Sequence, residues 1–205
     1  MPSAKLRELR LIARQRQKLV GQLASEKNRL HKVLTDSGVR LGVVVSDLHG
    51  QSARAMVKAI IAGQSPQEVL KLASRRLKAS REEIFDALQG DLTASHRFVL
   101  DELMRHIEEI EARIARFDTR LLAELESERD ALALLQTIPG VDLIGAAMLL
   151  VEIGTDMESF GSADRLASWV GICPGNNESA GKRKSGHLRK GNLYVRRLLC
   201  EFAHA

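Results

Sequence analysis

From Gly171 to Asn192 the chain gathers glycines, hydroxyl residues and five cations, Lys182, Arg183, Lys184, Arg189 and Lys190, around Ser179. Small residues let backbone amides close on an anion, and clustered cations hold phosphates because binding releases several counterions at once. A serine hydroxyl in such a setting could attack a phosphodiester. It would need a base to take its proton and positive charge to stabilise the phosphorane-like transition state. The cations could supply the charge, but none is an obvious base, so the proton acceptor must come from elsewhere. On the residues alone, Ser179 is either a nucleophile or a loop serine bonded to its neighbours.

Two familiar patterns nearly fit this run and fail. A phosphate-binding P-loop has four residues between its glycines and then Lys-Ser/Thr, whereas five separate Gly175 from Gly181 and Arg183 follows Lys182, so nucleotide hydrolysis is not supported. Ser179-Ala180-Gly181-Lys182 satisfies the Ser-x-x-Lys pattern of penicillin-interacting enzymes. That chemistry needs the lysine one helical turn from the serine, and Gly181, with Gly175 nearby, predicts a loop.

A second candidate precedes it. Leu134 to Asp142, containing Pro139-Gly140, followed by the apolar run Leu143 to Leu150, resembles a helix-hairpin-helix, in which hairpin amides and the second helix's N-terminus grip a DNA strand. Gly140 would let a phosphate approach. Asp142 stands where that module usually has another glycine and would repel one. The alternative is an ordinary helix hairpin that packs Ala146 and Ala147 closely.

The elements that must position these residues read as helical. The 205 residues are 44% hydrophobic but only 3% aromatic, which suits helices built from Leu, Ala, Arg and Glu and nearly excludes an all-β fold. Leu6 to Leu34 has apolar residues near helical spacing. Leu41 to Asp47 is either a short strand ending on a carboxylate or, more in keeping with the absence of a second strand, a short helix capped by Ser46 or Asp47. Ala53–Ala62, Pro66–Leu77 and Arg81–Leu88 read as short helices. Leu100, Leu103, Ile107, Ile110, Ile114, Phe117 and Leu121 then alternate steps of three and four, a coiled-coil seam that could pair with the first helix or with a second copy. The expected architecture is all-α: a helical coiled-coil linker and oligomerisation region over 1–130, then a small helical domain over 131–205 with the hairpin-like element and the basic loop.

Charge follows the same division. Lys5 to Arg40 carries +7 and Pro174 to Arg197 +6, leaving −8 for the rest of a +5 chain. Cys173 and Cys200 form no CxxC pair, so neither a disulfide framework nor a metal site is expected. No apolar run approaches the ~20 residues that span a bilayer, and a charged amphipathic stretch follows Met1, so the expectation is a cytoplasmic protein with no membrane contact.

Thr137 to Val141, Glu152-Ile153-Gly154, Ser168 to Gly171, Pro174 to Lys182 and Arg189 to Asn192, in that order, resemble the C-terminal domain of the IS116/IS110/IS902-type insertion-sequence transposases, the bridge-RNA-guided DNA recombinases. Upstream, Leu6 to Leu9, Asn28 to Leu30, and Ser46-Asp47 with Gly50 to Ser52 are similar to the coiled coil joining the two halves of those enzymes. Lys182, Arg183, Lys184, Arg189, Lys190 and Gly140 are the expected nucleic-acid contacts from the residue patterns above. The resemblance implies that Ser179 forms a phosphoserine link to DNA and that Mg²⁺ is held by four acids of an N-terminal RuvC-like domain. Asp47, Asp86, Asp91 and Asp101 assemble no such set. The expectation is therefore a truncated transposase, inactive alone and without its own cofactor. Its expected partners are DNA, a guide RNA, a second copy through the coiled coil, and a full-length transposase. The alternative is a non-catalytic nucleic-acid-binding and oligomerisation module.

Overall fold

The structure is a computed structural model that describes residues 4–173, 177–179, 181–185, 187, 188 and 190–205; for 4, 177–179 and 182–185 it describes the backbone. Helices α1 (Ala4–Asp36), α2 (Leu41–Val44), α3 (Gln51–Ile61), α4 (Pro66–Lys71), α5 (Arg81–Ala87) and α6 (Ala94–Glu124) are followed by a 3-10 turn at Glu126–Glu128. Then come α7 (Arg129–Leu135), α8 (Leu143–Ile153), α9 (Ala163–Val170), strands β1 (Asn177–Ser179) and β2 (Lys182–Ser185), and α10 (Leu193–His204). The all-α expectation holds. The departure among the described residues is an antiparallel two-stranded hairpin inside the segment expected to be an irregular loop.

The chain packs as two units, one of residues 18–114 and one of 1–17 with 115–205. Helices α1 and α6 each contribute residues to both units.

In the unit of residues 18–114, Leu30, Leu34, Leu41, Met56, Val57, Val69, Ile84, Leu100 and Ile107 share one core. Leu41 and Val45 are drawn into it, so this short apolar run closes a helical turn, with Val45 N–H donating to the Leu41 carbonyl at 3.1 Å. Asp47 caps no helix; its Oδ1 accepts from His49 N–H at 2.8 Å, and α3 has Gly50 at its N-cap position with no side-chain cap. Helices α4 and α5 begin in Ser-x-x-Glu capping boxes, Ser65 with Glu68 and Ser80 with Glu83, in which serine oxygen and glutamate carboxylate each satisfy an otherwise unpaired amide. Helix α4 stops at Lys71, short of the expected Leu77. There Ser52 Oγ donates to the Leu72 carbonyl at 2.8 Å and accepts from Ser74 N–H at 2.9 Å, supplying the terminus with partners from α3.

The α6 seam is satisfied within the chain. Leu100, Ile107, Ile110 and Leu121 are all but fully buried in the single molecule. Charged residues flanking the seam reach α1: Arg16 pairs with Asp118 in one unit, and Lys27 Nζ lies 3.4 Å from Glu111 in the other. Glu111 also takes both nitrogens of Arg54 at 2.8 Å. Of the two partners that periodicity allows, the first helix is the one these ion pairs join to the seam.

In the other unit, Leu9, Ala13, Leu121, Leu125, Leu132, Val141, Ala146, Ala147, Val151, Val170, Val195 and Leu198 form the core. Helix α8 is apolar on every side and is buried from Gly145 to Glu152, as a helix without a polar face must be.

Candidate nucleic-acid interface

The two ends of the basic segment, at Gly171 and Gly191, meet at one crossing. Helix α9 ends at Gly171 in the left-handed region (φ 81°), its N–H donating to the Ala167 and Ser168 carbonyls. Twenty residues on, Gly191 crosses the same point so closely that a Cβ on it would stand 2.3 Å from the Val170 carbonyl oxygen and 2.5 Å from Gly171 N. Asn192 N–H donates to the Trp169 carbonyl at 3.1 Å and closes the base. Only glycine permits this backbone contact. Gly191→Ala is expected to cost about 1–3 kcal/mol through overpacking, read as a lower thermal midpoint in circular dichroism.

Asn192 does two further things. Its Oδ1 accepts from Tyr194 and Val195 N–H at 3.0 and 3.2 Å, capping α10. Its Nδ2 donates to Glu152 Oε2 at 2.9 Å. Glu152, on α8, is 2% exposed and is also held by Arg14 of α1, whose Nε and Nη2 donate to Oε1 and Oε2 at 2.8 and 3.0 Å. The Arg14 guanidinium lies 4.4 Å from the centroid of the Tyr194 ring, and Arg10 donates to the carbonyls of Val151 and Glu152 at 3.1 and 2.7 Å. Burial alone would push the Glu152 carboxyl up; hydrogen bonds from Arg14 and Asn192, with the charges of Arg14 and Arg10, outweigh it and hold the carboxyl below the usual range. The base of the basic segment is thus tied to α1, α8 and α10 through one buried carboxylate.

Beyond the crossing, β1 and β2 form the hairpin. Ser179 pairs with Lys182 across the intervening Ala180-Gly181, and Glu178 with Arg183. The register slips between Asn177 and Glu178, so Asn177 faces Ser185 and Lys184 is the extra residue of a bulge. Gly181 has φ +71°, the conformation a two-residue hairpin connection demands. The backbone therefore brings Ser179 and Lys182 together at the hairpin's end, with Arg183 and Lys184 next along β2. Their side chains, and Arg189 altogether, lie outside the described residues. Lys190 is exposed beside the crossing.

Gly140 is placed elsewhere. It sits in the α7–α8 turn at φ +80°, and a Cβ on it would meet the Phe202 carbonyl of α10 at 2.3 Å, so the close approach it permits is to its own chain. Asp142 caps α8, its Oδ1 accepting from Gly145 N–H at 2.6 Å. A carboxylate thus occupies the helix N-terminus that a phosphate would need. Ala146 and Ala147 are fully buried. These contacts favour the ordinary helix hairpin over the DNA-gripping one.

Among the described residues no group of three or more His, Cys, Asp or Glu could hold a metal ion. Among the described residues no helix is long and apolar enough to cross a membrane. Sequence reasoning missed Arg14 and gave Glu152 no role. The available signal was Glu152's position as the sole charged residue in the apolar run Leu143–Ile153, where an unpaired carboxylate would be too costly to bury.

Residues 132–205, which hold this hairpin and its base, match the family model described as Transposase IS116/IS110/IS902 family. Among curated proteins, the chain is 27% identical over 139 residues to a "Probable family 20 transposase" of Pseudomonas aeruginosa, covering 65% of this chain and 40% of that protein. It is 34% identical over 101 residues to the "Insertion element IS900 uncharacterized 42 kDa protein" of Mycobacterium paratuberculosis, covering 49% of this chain and 25% of that protein. The chain thus spans less than half the length of the curated relatives it matches. No solved structure matches it.

Proposed function

We propose that this chain acts in DNA transposition by presenting the β1–β2 hairpin to DNA, with Ser179 as the nucleophile of a composite active site. Ser179 Oγ forms a bond to a backbone phosphorus while the bond from that phosphorus to a deoxyribose oxygen breaks. The serine proton passes through a base to the departing oxygen, so the phosphodiester is exchanged rather than hydrolysed. Lys182, Arg183, Lys184, Arg189 and Lys190 hold the phosphates and stabilise charge on the phosphoryl oxygens as it develops. The base belongs to the acid-bearing domain that the family resemblance implies, so the chain by itself binds nucleic acid without cutting it. A guide RNA would select the target.

The single observation that carries this reading is the pairing of Ser179 with Lys182 at the end of a cation-rich hairpin. The pinned base at Gly171, Gly191 and Asn192 supports it, because a nucleophile must be presented in one orientation to be effective. Replacing Lys182, Arg183 and Lys184 together by glutamine tests the binding half. The slope of log K against log salt on duplex DNA is expected to become shallower by about 0.9 for each phosphate the variant no longer neutralises. A slope equal to the parent's would remove the hairpin from the interface.

A further inference from the structure

An open cavity of about 630 Å³ lies beside the base of the hairpin, wholly within the unit of residues 1–17 and 115–205. Leu6 and Arg10 of α1, Ile153 at the end of α8, Asp156, Phe160 and Trp169 line it. Trp169 is 39% exposed although it stands among apolar side chains, and Phe160 supports it edge-on with ring centroids 5.4 Å apart at 64°. Met157 and Ile172, close by in sequence, are likewise exposed. A supported indole left open in a cavity offers a face for stacking.

The charges select the occupant. Asp156 disfavours a phosphate inside, the Glu152 carboxylate is already paired with Arg14, and Arg10 is committed to the Val151 and Glu152 carbonyls. What fits is a flat, neutral group with amino hydrogens to donate. Trp169 is joined through its backbone to Asn192, and the sequence from Pro174 to Arg197 carries a charge of +6, which suits the phosphates that such a group would carry.

We propose that this cavity takes one unpaired nucleobase of a DNA strand whose phosphates run along the basic segment, the base stacking on Trp169 and offering an amino group to Asp156. The inference rests on the DNA-binding reading above and adds a subsite to it. Stacking tolerates different bases because every base has a π face, while the carboxylate favours adenine, cytosine and guanine over thymine.

Trp169 is the chain's one tryptophan, so its emission reports the cavity directly. The full chain would be titrated with a dye-labelled mixed-sequence oligodeoxynucleotide of about 16 nucleotides, following anisotropy for binding and Trp169 emission for stacking. Quenching is expected to saturate with the anisotropy and to be weak with the same sequence as a duplex. Trp169→Phe is expected to bind like the parent, and Trp169→Ala about 5- to 150-fold more weakly. Quenching by the parent stands as the test even if Trp169→Ala fails to fold. An anisotropy rise with unchanged emission overturns the cavity assignment and leaves DNA binding intact; no anisotropy rise overturns both. Quenching by RNA of the same sequence but not by DNA overturns the choice of DNA.

Discussion

Ser179→Ala, placed in the hairpin of a transposase carrying its acid-bearing domain, is expected to bind DNA within about twofold of the parent and to lose the covalent protein–DNA adduct by about 10³-fold or more, as deletion of a nucleophile does in other covalent catalysts. The asymmetry follows from the hairpin's design. In the proposed role, affinity would come from several cations, each replaceable in part by the others, whereas the bond to phosphorus would form at one oxygen. Denaturing gel electrophoresis after incubation with labelled DNA checks it. An adduct of parental yield would move the nucleophile to another residue.

The second large effect concerns a residue far from the hairpin's end. Glu152→Ala leaves Arg14 without its carboxylate and strips Asn192 of its side-chain acceptor, and breaking a buried ion pair from one side costs about 3 kcal/mol. This is the lower end of the usual range, because Arg14 is itself 39% exposed and water can rehydrate it. Thermal unfolding is expected to fall by roughly 6–12 °C. Glu152→Gln keeps the shape and loses the charge, and it isolates the pH dependence. The folded carboxyl sits below its ordinary value of 4.5, so the charge stabilises the fold fully above that pH and ceases to as pH falls through the lower folded value. The stability gap between parent and Glu152→Gln should therefore be constant near neutrality and narrow below about pH 4.5. A gap that does not change over that range would mean the carboxylate is not the anchor described.

The long helices were legible because three-and-four spacing over many turns admits no other reading. The partner of the α6 seam was not, since the same spacing serves an internal hairpin or a dimer. Arg16 with Asp118 and Lys27 with Glu111 make the difference, and both are pairings of residues remote in sequence. Leu41 to Val45 is too short to show a period, and the burial of Leu41 and Val45 decides its conformation. The β1–β2 hairpin lacks the alternation of apolar and polar residues that marks a strand, leaving Gly181 as its one cue. Gly140 was recognisable as a place where something comes close. Whether that something is a phosphate or the carbonyl of Phe202 is a question of tertiary packing that no local pattern encodes.

The most direct test of the central claim is to isolate the covalent adduct formed by the assembled transposase on its DNA, digest it, and locate the nucleotide by peptide mass spectrometry. The account predicts a deoxynucleotide phosphate on Ser179. The same mass on Tyr194, the chain's one tyrosine, or on any other residue would contradict it.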